Sequence, residues 1–172
     1  MTYILGIDPG MGGALAMYAP NKTPIVWDIP KSVDSGIDPI ALADLIARIH
    51  LTYPGVTAVV ERVSSMPRQS GAFAFGLSTG IIHGCLASAG IPFELVSPAV
   101  WKAKMGLTKF PTETYAQNKT RARALASQLF PALASQFKRV KDDGRAEALL
   151  IAVYYANRKQ VRIPFRELEP KP

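Results

Sequence analysis

Short apolar runs separated by turn residues dominate the first third of the chain. Such runs, bounded by Gly, Pro and Asn, are typical of β-strands. The turns Pro9-Gly10 and Pro20-Asn21-Lys22 separate the first three runs, so we expect three successive antiparallel strands. Two more runs of the same kind follow. The five predicted strands are Tyr3–Asp8, Gly13–Tyr18, Pro24–Ile29, Val56–Glu61 and Pro92–Ser97.

A second pattern, with apolar residues three or four positions apart, predicts helices between and after these strands. In the segment Ile37–His50, Asp38 can cap the helix and Pro39 suits its first position. The apolar face of this helix is Leu42, Leu45, Ile46 and Ile49. We expect Ser97 to cap a short helix that begins at Pro98. Residues 71–89, 116–129 and 142–157 are the other predicted helices, and residues 137–141 form a basic link. The order of elements predicts an α/β fold.

Small residues recur every four positions in the helix predicted over residues 71–89: Gly76, Gly80, Gly84 and Ser88. Each interior glycine costs a helix roughly 0.5–1 kcal/mol relative to alanine, so close packing must compensate. The stripe can pack on the sheet of its own domain. Alternatively, it can form a contact between the paired helices of two subunits.

Two of the predicted strands end on a carboxylate, Asp8 and Glu61. An acid at the end of a buried strand is costly unless it is paired. No basic residue lies near Asp8 in sequence, which makes a bound cation the expected partner. The alternative is that Asp8 only opens an Asx-turn with Pro9.

The last helix opens with a second pair of acids, Asp143 and Glu147. Their spacing of four places both carboxylates on one helical face, where they repel each other unless a cation lies between them. Alternatively, Asp142 or Asp143 caps the helix, and Glu147 is solvated or pairs with Arg145. Four acids without a histidine cage suit hard cations that bind oxygen, such as Mg²⁺.

Charge is distributed unevenly along the 172 residues, whose formal net charge is +7. Residues 1–100 hold five basic and seven acidic side chains, whereas residues 101–172 hold fifteen basic and six acidic ones. An acidic-leaning half followed by a strongly basic half indicates a polyanionic partner. A basic surface that only aids solubility is the alternative.

Cysteine and histidine are too scarce for several kinds of site. Cys85 is the single cysteine, which excludes a disulfide framework and a Cys-rich zinc site, and we expect it to pack as a small apolar residue. The chain has only two histidines, His50 and His83, which argues against a metal site built from histidines and against a Ser-His-Asp triad. Residues 69–93 lack charged side chains but hold five glycines, which favours a buried helix over a membrane span. No signal peptide is recognised at the N-terminus, so we expect a soluble protein of a bacterial or phage-infected cytoplasm.

Three motifs together resemble the RuvC-type Holliday junction resolvases, above all their phage and mitochondrial relatives in the ribonuclease H-like superfamily. They are Gly6-Ile7-Asp8-Pro9-Gly10, Val59-Val60-Glu61, and the run D-G-R-A-E-A-L-L-I-A at residues 143–152. The first motif alone also occurs in sugar kinases and actin-like ATPases. All three in this order, across residues 3–156, are more specific.

The resemblance implies a ribonuclease H-like domain over residues 1–158, followed by a tail over residues 159–172. It implies a five-stranded mixed sheet flanked by helices on both faces, and a homodimer that acts on branched DNA. The implied reaction is the paired nicking of four-way junctions with two Mg²⁺ ions per active site, for which Mn²⁺ can substitute.

Carried over by position, Asp8 and Glu61 match the first two acids of the family. RuvC proper spaces its last two acids by three residues, which would put Gly144 opposite Glu147. The mitochondrial relatives space them by four, which selects Asp143, with Asp142 as the alternate. The basic residues that the resemblance assigns to junction phosphates are Lys102 and Lys119. We expect Arg121 and Arg123, on the same predicted helix as Lys119, to contact phosphates as well.

RuvC proper has an aromatic wedge three residues after the second acid, where this chain has Ser64. Met66 and Phe73 are the candidates for that role in this chain.

Three other functions compete with junction resolution. A nucleotide-binding fold of the actin or sugar-kinase type would need a second phosphate motif, which 172 residues do not supply. A second alternative is a non-catalytic junction-binding protein that has kept the fold. The third is a related nuclease that acts on RNA–DNA hybrids or other branched DNA.

Overall fold

The computed structural model describes residues 2–10, 12–33, 36–62 and 72–158. Within these residues, five strands form one mixed sheet in the order β3-β2-β1-β4-β5. The strands β1, β2 and β3 pair antiparallel, whereas β1, β4 and β5 run parallel. This arrangement confirms the predicted five-stranded mixed sheet. The strands are β1 Ile4–Asp8, β2 Ala14–Tyr18, β3 Ile25–Asp28, β4 Thr57–Glu61 and β5 Phe93–Val96.

Helices occupy the predicted segments, with ends that differ by two residues at most. Their bounds are α1 Pro39–Thr52, α2 Ala72–Ser88, α3 Pro98–Lys104, α4 Tyr115–Leu129 and α5 Asp143–Asn157. Short 3₁₀ segments, Pro131–Phe137 and Val140–Asp142, occupy most of the connection before α5, and the predicted basic link spans the junction between them.

Two predicted caps have different outcomes. The Asp38 carboxylate accepts hydrogen bonds from the backbone N–H groups of Ile40 and Ala41, as predicted. Ser97 does precede α3, but its side chain makes no capping hydrogen bond. Pro98 at the first helical position lacks an N–H and has its φ fixed, which starts the helix without a side-chain cap.

Each face of the sheet is covered by different helices. The face that presents Leu5 and Ile7 packs against the apolar sides of α1 and α2, including the predicted face of α1 and the buried Cys85. The other face presents Ile4 and Val59 and is covered by α3, α4 and α5. Because strand side chains alternate between faces, neighbouring residues of β1 belong to different cores.

Helix α5 lies directly against β1. A Cβ atom on Gly6 would lie 2.1 Å from the carbonyl oxygen of Ala148, so only glycine fits there. At the start of α5, a Cβ atom on Gly144 would lie 2.1 Å from the carbonyl oxygen of Gly12. The first turn of α5 is therefore pressed against the turn between β1 and β2.

The small-residue stripe of α2 faces outward. Gly76, Gly80 and Gly84 are exposed, and a Cβ atom added to any of them would meet no described atom within 4 Å. Packing of the stripe on the sheet of its own domain is therefore wrong. Phe73 and Leu77 on the same helix are 85% and 55% exposed, which leaves α2 with a surface of apolar and small residues.

Several predictions lie outside the described residues. They concern the loop that contains Ser64 and Met66, and the tail over residues 159–172. Among the helices that are described, none is long and apolar enough to cross a membrane.

Candidate active site

The four predicted acids surround one open cavity of about 700 Å³ at the carboxyl ends of β1 and β4. Asp8 and Glu147 are buried, and Asp143 is mostly buried. Ligands bind at this edge in open α/β sheets, where strand ends and loops leave a crevice. The acids that line the cavity are Asp8, Glu61, Asp142, Asp143 and Glu147, together with Asp28 at its edge.

Strand geometry brings Asp8 and Glu61 together. Side-chain alternation puts Asp8 on the same face as Gly6, and Glu61 on the same face as Val59. Both carboxylates therefore point to the side covered by α5. The parallel register that pairs Ile7 with Val60 then sets the ends of β1 and β4 level with each other.

The turn after β1 confirms part of the alternative for Asp8. The Gly10 N–H donates a hydrogen bond of 3.0 Å to Oδ1 of Asp8, which is an Asx-turn. The same carboxylate also lines the cavity, so the turn and the cavity wall share one side chain.

Helix α5 supplies the other pair of acids from its first two turns. Glu147 is only 5% exposed and accepts a hydrogen bond from Lys102. Its alternatives, solvation or pairing with Arg145, are therefore wrong. Arg145 reaches Asp28 on β3 instead, with 2.6 Å between Nε and Oδ1.

Burial and mutual repulsion raise the pKa of two of these acids. Burial, followed by the negative charge of Glu147, raises the pKa of Asp8 to about 6. Burial, followed by the charge of Asp8, raises the pKa of Glu61 to about 7. Raised pKa values show that this site holds negative charge at a cost, which a nearby cation reduces.

Basic side chains from α3 and α4 reach the two acids of α5. Lys102 Nζ lies 3.0 Å from Oε1 of Glu147, and Lys119 Nζ lies 3.4 Å from Oδ2 of Asp143. Arg123 also pairs with Asp143. Burial opposes the charged form of Lys119, but the surrounding carboxylates, Glu147 first, raise its pKa.

The donor set fits a hard divalent cation in chemical type. The four acids provide only carboxylate oxygens, which Mg²⁺ and Mn²⁺ prefer. Among residues 2–10, 12–33, 36–62 and 72–158, no three acid, histidine or thiol side chains are grouped closely enough to hold one ion. Asp143 and Glu147 instead meet the ammonium groups of Lys119 and Lys102.

Asp142 differs from Asp143 in its partners. Its carboxylate accepts a 2.8 Å hydrogen bond from the Arg139 backbone N–H and pairs with the Arg139 guanidinium. Burial alone would raise the pKa of Asp142, but these hydrogen bonds hold it below its usual value. Asp142 therefore has a local structural partner, whereas Asp143 meets cations that come from α4.

The four predicted phosphate-binding residues do not form one group. Lys102 and Lys119 line the cavity, but Arg121 and Arg123 do not. Arg121 pairs with Glu113 and donates to the carbonyl oxygens of Gly106 and Thr108. These contacts fix the loop before α4.

One neighbour of the acids was missed from the sequence. Trp101 is fully buried, and its indole N–H donates a hydrogen bond of 2.6 Å to Oε2 of Glu61. No local sequence signal marks this contact, because it depends on the pairing of Glu61 with Val96 in the sheet, which brings the start of α3 to the same edge. Of the proposed wedge residues, Phe73 is exposed on α2.

Comparison with known proteins identifies similar folds. Neither a protein-family model nor a curated protein matches the sequence. Thermus thermophilus RuvC in complex with a Holliday junction substrate is 16% identical, with a TM-score of 0.60 over 91% of this chain and 96% of that chain.

A second Thermus thermophilus RuvC structure is 15% identical, with a TM-score of 0.56 over 90% and 95% of the two chains. The yeast mitochondrial Holliday junction resolvase Ydc2 is 17% identical, with a TM-score of 0.48 over 92% and 81%. With a five-stranded mixed sheet flanked by helices on both faces, the chain has the ribonuclease H-like fold of RuvC.

Proposed function

We propose that this chain is a structure-selective DNA endonuclease that resolves four-way junctions by paired, metal-dependent nicks. One observation carries the proposal. Four carboxylates from β1, β4 and α5 surround a single cavity in a chain that has the fold of Thermus thermophilus RuvC. That protein was solved in complex with a Holliday junction substrate.

The proposed ligands of the cations are Asp8, Glu61, Asp143 and Glu147. We prefer Asp143 to Asp142, because Asp143 lies on the same helical face as Glu147, whereas the Asp142 carboxylate is held within its own turn by the backbone N–H and guanidinium of Arg139. Two Mg²⁺ ions bound by these residues would supply charge stabilisation for the attacking and leaving oxygens of a phosphodiester. We expect Mn²⁺ to substitute, and Ca²⁺ to support binding without efficient cleavage because it accepts longer and looser coordination.

The proposed DNA contacts lie on the walls and rim of the same cavity. Lys102 and Lys119 flank the carboxylates, and exposed Lys31 and Lys141 line the rim. Ammonium groups around an acidic centre attract the phosphate backbone and offset its repulsion by the carboxylates. Phosphate binding by Arg121 and Arg123 stays a prediction, and the loop contacts of Arg121 support a structural role for it beside that one.

We also propose that the active form is a homodimer. Two opposed strands must be cut to resolve a junction, and two subunits related by a two-fold axis supply two sites. The exposed surface of α2, with Gly76, Gly80 and Gly84 beside Phe73 and Leu77, supports helix α2 as the contact. Glycines on that surface let two backbones approach closely.

The spacing of four residues between Asp143 and Glu147 supports a place in the phage and mitochondrial branch of these nucleases.

The test is incubation of the protein with a synthetic four-way junction, a matched linear duplex and an RNA–DNA hybrid, each with Mg²⁺ or EDTA. We expect paired nicks in the junction alone, and only with Mg²⁺. Cleavage of the hybrid or of other branched DNA in preference to the junction would assign the related nuclease activity. Junction binding without cleavage under any divalent cation would assign a non-catalytic role. Undiminished cleavage in EDTA would exclude the metal mechanism.

A further inference from the structure

The contact between Trp101 and Glu61 joins the short helix α3 to the end of β4. Trp101 is 0% exposed, and its Nε1–H donates to Oε2 of Glu61 over 2.6 Å. Forty positions separate the two residues in sequence. The contact exists because β5 pairs parallel with β4, so the chain that leaves β5 passes beside Glu61.

A buried indole is a rigid donor. Trp101 packs within the apolar core below α5, which fixes the direction of its N–H. A hydrogen bond to a carboxylate is stronger than one between neutral groups, and 2.6 Å is short for N–H···O⁻. The contact therefore holds one oxygen of Glu61 and restricts rotation of the whole carboxylate.

The neighbouring residue extends the same arrangement to a second acid. Lys102 follows Trp101 in α3, and its Nζ lies 3.0 Å from Glu147. Two consecutive residues of one seven-residue helix thus contact acids that belong to β4 and α5. Helix α3 sets the relative positions of these two acids.

We propose that Trp101 is a positioning residue for the cation site: it holds Oε2 of Glu61 and so orients the carboxylate, whose other oxygen would be available to a divalent cation. This inference rests on the proposed function, because it requires Glu61 to be a metal ligand. Groups that orient a metal ligand from behind typically change metal affinity or activity by about 10- to 100-fold when they are removed.

The first test is Trp101→Phe, which removes the indole N–H but retains an aromatic ring. We expect Ca²⁺ affinity, measured by calorimetry, to fall by about 10- to 100-fold. Affinity for a four-way junction in EDTA should stay within about twofold of wild type, since it depends on phosphate contacts. Trp27→Phe is the matched control, because Trp27 is the only other tryptophan and lies on β3. Unchanged Ca²⁺ affinity in folded Trp101→Phe would overturn the proposal.

A double-mutant cycle separates positioning from a general packing defect. If Trp101 acts through Glu61, Trp101→Phe should cause no further loss of Ca²⁺ affinity in a Glu61→Gln background. An equal loss in both backgrounds would mean that Trp101 acts on the site by another route, and would overturn the proposal.

A third measurement keeps Trp101 in place, and so does not depend on the folding of its variant. In Trp27→Phe, Trp101 is the sole tryptophan, and its fluorescence reports on the site directly. Paramagnetic Mn²⁺ bound at Glu61 should quench this fluorescence, and excess EDTA should restore it. Emission that does not respond to saturating Mn²⁺ would overturn the proposal.

Wild-type protein distinguishes this inference from the proposed function. A wild-type protein that neither binds Ca²⁺ nor nicks a junction would overturn both. If wild type binds and nicks while Trp101→Phe behaves identically, only the role of Trp101 is overturned.

Discussion

The two faces of the central sheet differ in the kind of surface that they help to build. The face under α5 ends in a cavity walled by carboxylates and ammonium groups. The opposite face is sealed by α1 and α2 over an apolar core, and α2 then presents glycines and exposed apolar side chains outward. A single sheet can therefore separate a charged, open side from an apolar, closed side by the direction in which its side chains point.

The separation begins within β1. Ile7 enters the apolar core of the α1 and α2 side, whereas its neighbour Asp8 lines the cavity. A shift of one residue in strand register would exchange the two and bury a carboxylate among aliphatic side chains. The register of β1 against β4 is therefore a requirement of the site as well as of the fold.

The largest effect is expected from removing the carboxylates that line the cavity. Each of four single substitutions should reduce junction nicking by at least about a hundredfold. They are Asp8→Asn, Glu61→Gln, Asp143→Asn and Glu147→Gln. Junction affinity in EDTA should remain, because the phosphate contacts that we propose come from other residues. Nicking of labelled junctions and a binding titration check this.

Asp142→Asn is the matched control for that series. It lies on the same cavity wall but is bonded to Arg139. We expect it to keep nicking activity and to lower the free energy of unfolding by about 1–3 kcal/mol. If Asp142→Asn inactivates the protein and Asp143→Asn does not, the metal ligand is Asp142.

The next effect tests how closely α5 must approach the sheet. Gly6→Ala would place a Cβ atom 2.1 Å from the Ala148 carbonyl oxygen. We expect at least about 1–3 kcal/mol of destabilisation in urea unfolding, because neither backbone can move away freely. Gly76→Ala on α2 is the control: its Cβ would enter open space, and helix propensity should stabilise the protein by about 0.5–1 kcal/mol. Equal effects at the two positions would contradict the difference between the faces.

A smaller effect is expected from a substitution on the exposed surface of α2. Gly80→Leu should leave the monomer folded, with a Tm within about 4 °C of wild type, because its side chain extends into open space. If α2 forms the dimer contact, sedimentation should show monomers, and paired cuts in one binding event should be replaced by single nicks. Wild-type protein that is monomeric at micromolar concentration, with and without a junction, would contradict the dimer.

The smallest effect is expected from changing the pH, which alters the protonation of the cavity carboxylates. With the pKa of Asp8 raised to about 6 and that of Glu61 to about 7, a cation must displace protons below these values. Ca²⁺ affinity should therefore fall by about tenfold per pH unit between pH 7 and 6, where Glu61 takes up a proton, and more steeply below pH 6, where Asp8 is protonated as well. Calorimetry between pH 5.5 and 8 measures this, and Glu61→Gln should remove the step near pH 7. Affinity that is independent of pH would contradict the raised values.

The same pKa shifts determine the direction in which the stability of the metal-free protein changes with pH. The unfolded chain releases these two protons near the ordinary pKa values of 3.8 and 4.5, whereas the folded chain retains them until about 6 and 7. The folded state therefore binds more protons in this interval. The contribution of Asp8 and Glu61 to stability falls as the pH rises from about 4 to 7, and it does not fall further above that range.

The sequence predicts the elements well, because periodicity reports which face of an element is buried. The continuous apolar run of β1 predicts a buried strand that ends on Asp8, and the four-residue spacing in α5 places Asp143 and Glu147 on one face of the helix. Glycine and proline mark the turns between elements. These are local properties, and each is encoded within about ten residues.

The partners of individual side chains could not be predicted in this way. Arg145 meets Asp28, which is 117 positions away, and Trp101 meets Glu61 across two strands. Such contacts depend on which elements become neighbours in space. The four-residue stripe of α2 shows the same limit: its period identifies a face, but only the packed structure shows that this face points away from the sheet.

The contact of α5 with β1 has a consequence for the order of synthesis. Asp8 and Glu61 precede α5 in the chain, so they are synthesised before Asp143 and Glu147. Until α5 docks on Gly6, a nascent chain holds only half of the proposed ligands and lacks the cavity wall that faces them. A truncated product that ends before residue 143 is therefore expected to lack the proposed nuclease activity.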